Sequence, residues 1–323
     1  MRSFRGCESS NAPSPLTAMD TRNLRPVVRA RVGFLIIGAM TIGTLVSTLR
    51  AETPFPPFNN PSVQRTIEGK VIWIDLFTAD VKAAAEFYTR TFGWTSEEIK
   101  IREVEYILMR NFGRPVAGLV HRRKVRGESA EGLWVAYLSV NSISKAIIAS
   151  KGQGAQVLVE PGVLDGRGGH AVIADPEGSI IGILKSMSGD PPDFQPMPGD
   201  FAWSNLLSRN EDAAARFYRS VFNYDPLQVD DTDKVNQYYL ASDDYARIGI
   251  GALNNDDDAT PGWIHFIRVR NLEKTLNKAL DAGAKTLVEP TANLFDGRVA
   301  VIADPVGAAV GLIEWTETEG ANK

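Results

Sequence analysis

Two long stretches of this chain repeat one another at a nearly constant offset. Trp73-Ile74-Asp75-Leu76, Glu86-Phe87-Tyr88 and Phe92-Gly93-Trp94 return 130 positions later as Trp203-Ser204-Asn205-Leu206, Arg216-Phe217-Tyr218 and Phe222-Asn223-Tyr224. Further along the offset becomes 129. Gly154-Ala155, Val159-Glu160-Pro161, Ala174-Asp175-Pro176, Gly178 and Gly182 recur as Gly283-Ala284, Val288-Glu289-Pro290, Ala303-Asp304-Pro305, Gly307 and Gly311. A match sustained over this length means one domain present twice. Each copy exceeds the size of a solenoid unit and is long enough to fold alone. Chemistry is therefore to be sought in what the copies share and in where they differ.

With 323 residues, 44% of them hydrophobic, the chain holds enough apolar material for two ordinary globular cores. A net charge of -4 gives no electrostatic footprint for nucleic acid, and that class of partner is set aside. The single cysteine is Cys7, so an intrachain disulfide, a thiolate metal site and a cysteine nucleophile are all ruled out within the repeats. His121, His170 and His265 are the whole imidazole inventory.

Residues 1–51 are a different material. Arg22, Arg25, Arg29 and Arg31 precede an uncharged run at 32–49, after which Arg50-Ala51-Glu52 leads into Thr53-Pro54-Phe55-Pro56-Pro57. A basic segment, an apolar stretch and a polar continuation are the parts of a secretory signal, so export is expected, to the periplasm if the source is bacterial. The run is slightly long for a signal core and just long enough to span a bilayer. Membrane association through an uncleaved anchor at 32–49 is the alternative.

The other boundaries follow from composition and pattern. A linker is expected at 52–67, a first domain at 68–188, a proline-bearing spacer at 189–199, a second domain at 200–318 and a tail at 319–323. Alternation predicts strands at 71–77 and 201–207, each followed by a cap residue, Asp80 or Asn210, and a helix at 81–92 or 211–222. Shorter strands are expected at 105–110 and 116–121, and again at 237–241 and 248–253. The order then restarts with a strand at 133–140 or 263–269 and a helix at 142–151 or 272–282, and it closes on a strand at 180–184 or 308–313. Each copy is two βαβββ modules, and the class is α+β.

These features resemble the vicinal oxygen chelate superfamily, which includes glyoxalases, bleomycin-resistance proteins and ring-cleaving dioxygenases. The opening strand, the capped helix ending in Phe-Tyr, the Phe-Gly-Trp after it and the closing Asp-Gly-Arg and Ala-Asp-Pro-x-Gly carry the likeness over about residues 68–318. The resemblance implies tandem vicinal oxygen chelate domains, the paired modules of each curling a mixed sheet into a cup with helices outside and ligand inside. It does not imply one function, because one fold hosts many chemistries.

The family's metal enzymes draw ligands, mostly His and Glu, from the first strand, the first strand of the second module and the last strand. Those positions fall here on Trp73 and Trp203, on Val135 and Ile264, and on Gly182 and Gly311. None offers an imidazole, carboxylate or thiolate, so no metal ligand and no cofactor is expected. A metal-polarised glyoxalase or dioxygenase mechanism is correspondingly disfavoured. The alternative metalloenzyme would need displaced ligands such as His121, His170 and a carboxylate. His265 alternates with Ile264 and Phe266 and is expected to face the helices as a core residue. Asp165-Gly166-Arg167-Gly168-Gly169 and Asp296-Gly297-Arg298 precede strands, which argues for turns, and the arginine that recurs in both either braces the cup or faces a ligand, bracing being favoured.

Alternation directs Trp73, Asp75, Phe77, Val135, Tyr137 and Ser139 into the first cup, and Trp203, Asn205, Leu207, Ile264, Phe266 and Arg268 into the second. Of these, Trp73, Phe77, Tyr137, Ser139, Trp203, Asn205, Phe266 and Arg268 are the candidate ligand-binding residues. Asp75, an acid against apolar walls, is the candidate general base. The function expected is an exported, metal-free protein binding a small, partly apolar molecule, as in the bleomycin-resistance branch. The second expectation is a metal-independent lyase or isomerase acting through Asp75. A third is a structural protein whose cups are plugged by their own tryptophans. Pairing of modules between chains is left open, so a homodimer remains among the expectations.

Overall fold

The computed structural model describes residues 55–101, 104–122, 131–227, 238–253, 259–292 and 294–315. The N-terminal extension at 1–51, with its signal or anchor run, and the tail at 319–323 lie outside the described residues. No helix among the described residues is long and apolar enough to cross a membrane.

The first copy runs β1 (Val71–Thr78), α1 (Val81–Phe92), β2 (Thr95–Ile101), β3 (Val104–Asn111), β4 (Arg114–His121), β5 (Leu133–Ser139), α2 (Ile143–Gly152), β6 (Gln156–Leu164), β7 (Gly168–Ala174) and β8 (Ile180–Ser186). The second runs β9 (Phe201–Ser208), α3 (Glu211–Phe222), β10 (Asp225–Leu227), β11 (Tyr238–Ser242), β12 (Tyr245–Ala252), β13 (Gly262–Val269), α4 (Leu272–Asp281), β14 (Lys285–Val288), a 3-10 turn at Phe295–Gly297, β15 (Val299–Ala303) and β16 (Ala309–Glu314). Each copy forms one eight-stranded mixed sheet, in the orders β2-β3-β4-β1-β5-β8-β7-β6 and β10-β11-β12-β9-β13-β16-β15-β14. The two opening strands of the modules, β1 with β5 and β9 with β13, pair antiparallel at the centre of each sheet. This is the tandem α+β arrangement anticipated, with two βαβββ modules per copy.

Local chemistry sets the helix limits. Asp80 Oδ1 accepts from the Ala83 amide at 2.9 Å and Asn210 Oδ1 from the Ala213 amide at 3.0 Å, each satisfying an orphan donor of the first turn. Gly93 ends α1 in the left-handed region, its amide returning to the Thr89 carbonyl. In between, Val81, Ala84, Ala85 and Tyr88 recur at helical spacing and form the buried stripe.

The helices lie outside both cups but inside the molecule. α1 packs on α4 and α2 on α3, so one continuous apolar core, from Ile74 through Tyr88 and Trp134 to Tyr218 and Val310, joins the two copies. Its polar contacts are reciprocal. The Tyr88 hydroxyl donates to Asp304 Oδ2 at 2.9 Å, and its counterpart Tyr218 donates to Asp175 Oδ2 at 2.9 Å. Likewise Trp94 Nε1 donates to the Gly199 carbonyl at 2.9 Å, and the Tyr224 hydroxyl to the Gly69 carbonyl. The other oxygen of each aspartate accepts two amides of its own turn, from Glu177 and Ser179 in one copy and from Val306 and Ala308 in the other. The cup faces, turned away from this seam, hold two separate apolar clusters.

Candidate functional site

The first cup is built on the central pair of strands. Trp73 sits opposite Tyr137 and Asp75 opposite Val135, while β4 runs parallel on the other side with Gly118 beside Asp75. Glycine is required at 118, because a Cβ there would overlap both the Asp75 carboxylate and the Tyr106 hydroxyl. Asp75 Oδ1 accepts from Trp73 Nε1 at 2.7 Å and from the Tyr106 hydroxyl at 2.8 Å. The Tyr137 hydroxyl lies beside the same carboxylate. Burial pushes the Asp75 carboxyl above its ordinary range, opposed by these donors and by the positive charge of Arg167.

Arg167 comes from the turn between β6 and β7 and is only 2% exposed. Its guanidinium carbon stands 3.8 Å from the Trp73 ring centroid, 4.5 Å from that of Phe58 and 5.0 Å from that of Phe55. None of its Nε, Nη1 and Nη2 atoms has a hydrogen-bond partner among the described residues. Burial lowers its pKa, and the neighbouring Tyr106, Asp75 and Tyr137 oppose that shift. Of the two roles open to this arginine, its packing on three rings of the cup suits bracing and its unpaired donors suit facing a ligand.

The two phenylalanines belong to a strap, residues 55–65, that the sequence presents as a plain linker. The Phe55 amide donates to the Asp165 carbonyl at 3.0 Å, the Phe58 amide to Ser188 Oγ at 3.0 Å, and Asn59 Nδ2 to the Gly189 carbonyl at 2.8 Å. Gly166 has φ +80° and lies so close under Phe55 that a Cβ would overlap the Phe55 carbonyl. Phe55 then meets Tyr106 edge to face at 4.9 Å, which closes the cup with an aromatic wall.

The second cup is filled by its own side chains. Trp203, Tyr239, Phe266, Leu294 and Phe295 form a buried cluster, with Leu294 and Phe295 supplied by the 3-10 turn. Asn205 takes the place of Asp75, its Nδ2 donating to the Leu206 carbonyl at 3.3 Å. Arg298 is the arginine of the corresponding Asp-Gly-Arg. It is part-exposed, stacks on Phe295 at 4.2 Å, and donates to the Phe295 carbonyl at 3.3 Å and to Asp296 at 3.4 Å. Bracing describes Arg298 well.

Of the residues singled out in the sequence, Trp73, Asp75 and Tyr137 meet in the first cup, and Trp203, Asn205 and Phe266 in the second. Phe77 packs half-buried at the rim of the first cluster. Ser139 and Arg268 are turned to another task. Ser139 Oγ donates to Asp190 at 2.6 Å, and Arg268 donates to the carbonyls of Pro196 and Trp315, so both hold the inter-copy linker. His265 is fully buried, bonded through Nδ1 to Ser204 Oγ at 2.8 Å and pushed down to about 3 by burial, as a core histidine should be. His121 lies 3.9 Å from Glu105, and His170 sits on β7, separated from β4 by three strands in the sheet order. The two do not share a site. Tyr106, Phe55 and Phe58 complete the cup beyond the sequence expectation, and Arg167, which the sequence placed at the cup, joins them. Tyr106 alternates with Leu108 on β3 and was within reach of a period-two reading, whereas the strap carries no periodic signal.

Residues 70–183 and 201–312 each match the model of the Glyoxalase/Bleomycin resistance protein/Dioxygenase superfamily. The chain belongs to that superfamily. Among its relatives are the anthracycline biosynthesis protein DauV of a Streptomyces species, 25% identical over 78% of this chain and 96% of the relative. The putative glyoxylase CFP32 of Mycobacterium tuberculosis is 26% identical over 76% of this chain and 95% of the relative. Similar solved structures include the Mn(II)-bound glyoxalase from Novosphingobium aromaticivorans, with a TM-score of 0.52 at 14% identity, covering 78% of this chain and 84% of that one. The homoprotocatechuate 2,3-dioxygenase of Brevibacterium fuscum, solved with 3,4-dihydroxyphenylacetate, gives a TM-score of 0.51 at 13% identity, covering 83% and 86%. At such identities these structures speak for the fold alone.

The superfamily's divalent metal finds no matching donor set at the expected positions. Trp73 and Val135 present apolar or indole surface to the cup, and the Tyr137 ring lies flat over Gly182, where any side chain would overlap it. The Phe266 ring covers Gly311 in the same way. Among the described residues no three His, Cys, Asp or Glu side chains are gathered where they could hold an ion.

Proposed function

We propose that the first cup binds a small, partly apolar molecule, without a divalent metal at the superfamily's ligand positions. The observation that carries this reading is Arg167, a buried cation among three aromatic rings with its donors uncommitted, beside a buried carboxylate. Buried polar groups in a stable fold are ordinarily hydrogen-bonded, so such an exception points to function. The second copy supports the assignment by contrast, since its acid is an amide and its arginine is engaged. The names of the relatives, one in anthracycline biosynthesis and one a putative glyoxylase, both concern small-molecule chemistry.

The deciding test of the metal-free reading is metal content by mass spectrometry on protein purified from its own host without chelators, with thermal melts across divalent ions. Neither bound metal nor an ion-specific stabilisation is expected. Stoichiometric metal, or a large shift with one ion, would sink it and favour a metalloenzyme with displaced ligands.

A second reading, proton transfer by Asp75 in an isomerase or lyase reaction, draws support from that carboxylate's burial and raised pKa. Asp75→Asn should then abolish turnover while leaving ligand affinity largely intact; equal losses of both would remove the catalytic role. Export through the run at 32–49 is proposed alongside, and cell fractionation of the full chain against a form lacking residues 1–51 tests it.

A further inference from the structure

The ligand's chemistry can be narrowed from the charges in the first cup, on the premise that this cup is the binding site. Asp75 and Arg167 are both buried there, and with the acid ionised the two charges cancel. A second anion brought into this enclosure would then leave one buried charge unbalanced, which is strongly unfavourable. A cation would meet the same objection and would face Arg167 as well. With Asp75 ionised, a neutral ligand is the one that keeps this balance.

Its functional group follows from the donors. The carboxylate is already served by Trp73 Nε1 and the Tyr106 hydroxyl, whereas the guanidinium has no hydrogen-bond partner among the described residues. A guanidinium only donates, so its complement is an acceptor oxygen. The surroundings are rings: Trp73, Phe55 and Phe58 against the guanidinium, and Tyr106 with Tyr137 beside the acid. Such walls favour a flat, conjugated partner. Two of these features change together in the other copy. Asn205 replaces the acid, and Arg298 bonds to the Phe295 carbonyl.

We propose that the first cup takes a neutral, planar, conjugated carbonyl compound whose carbonyl oxygen accepts hydrogen bonds from Arg167. Three probes of nearly equal shape separate the alternatives: acetophenone, with a neutral conjugated carbonyl; benzoate, with an anion; and ethylbenzene, with no acceptor. Affinities are measured by ligand-observed NMR titration on the full chain. Acetophenone is expected to bind about tenfold more tightly than ethylbenzene, the size of one hydrogen bond to a charged donor, and more tightly than benzoate. In Arg167→Met the acetophenone preference should collapse to the ethylbenzene level, and Arg167→Lys should restore part of it. The ranking within the wild-type protein stands even where a variant fails to fold. Benzoate binding tightest would overturn the neutral class and leave the pocket itself intact. Equal binding of acetophenone and ethylbenzene, or a preference that survives in Arg167→Met, would remove Arg167 as the anchor. If none of the three bound, the ligand-binding reading of the cup would fall with the inference.

Discussion

Asp75 and Asn205 occupy the same place in two copies of one fold, and the exchange of an oxygen for an amide nitrogen separates a charged cup from a neutral one. In the first copy the carboxylate has Arg167 as a counter-charge; in the second the equivalent arginine, Arg298, is part-exposed and bonded within its own turn. Asn205→Asp should therefore bury an uncompensated carboxylate and cost about 3 kcal/mol or more at neutral pH, read from the urea midpoint. Burial alone would raise the new group's pKa, so most of the loss should be recovered as pH falls to about 4, where the folded chain holds the proton and the unfolded chain is about half protonated. Asp75→Asn should also destabilise, by leaving Arg167 without its counter-charge. At this scale the sequence was informative about Trp73, Asp75 and Tyr137, because period-two alternation decides which way a strand residue points. It was silent on whether Arg167 found partners, since that depends on the strap above it. Ser139 and Arg268 alternate inward by the same rule, yet the linker captures them at the strand ends.

The elements that set the shape of the cup differ in how openly they announce themselves. α1 and α3 combine a capping residue with a helical apolar stripe, and their limits match those read from the sequence. β2 was missed as a separate strand. Its Glu97, Glu98 and Lys100 are exposed and its Ile99 is buried, as befits an edge strand paired with β3. The strap at 55–65 has no periodicity and is held by amides and carbonyls of distant turns. β8 and β16 carry a different device, a glycine beneath an aromatic ring. Gly182→Ala should force Tyr137 off its strand and cost about 1–3 kcal/mol, and Gly311→Ala should cost a similar amount through Phe266. Only the first should also weaken small-molecule binding, because Tyr137 borders the candidate site and Phe266 lies in a filled cup. Chemical denaturation and the probe titrations together separate these outcomes; equal effects on binding would argue against the division of labour between the cups.

Across the whole molecule, the motifs that stood out by repetition turn out to specify the seam between the copies. Tyr88 and Tyr218, Trp94 and Tyr224, Asp175 and Asp304 all meet the opposite domain, as no reading of one copy in isolation could show. Because a single apolar core crosses the seam, calorimetry is expected to show one cooperative unfolding transition; two resolved transitions would mean that the copies melt independently. Burial raises both Asp175 and Asp304 to about 6. The folded pKa lies above the ordinary 3.8, so the folded state keeps these protons where the unfolded state has released them. Their stabilising contribution is complete below about 3.8 and is lost as pH rises through about 6. In Asp175→Asn/Asp304→Asn that dependence should vanish, so the stability of the parent protein relative to this variant should fall between pH 4 and pH 7. A difference that stays flat over this range would show that neither carboxyl is shifted. The reciprocal bonds also make each copy a structural cofactor of its twin: a hydroxyl of one satisfies a buried acceptor of the other in both directions, so removing either copy would strand polar groups in the one that stays.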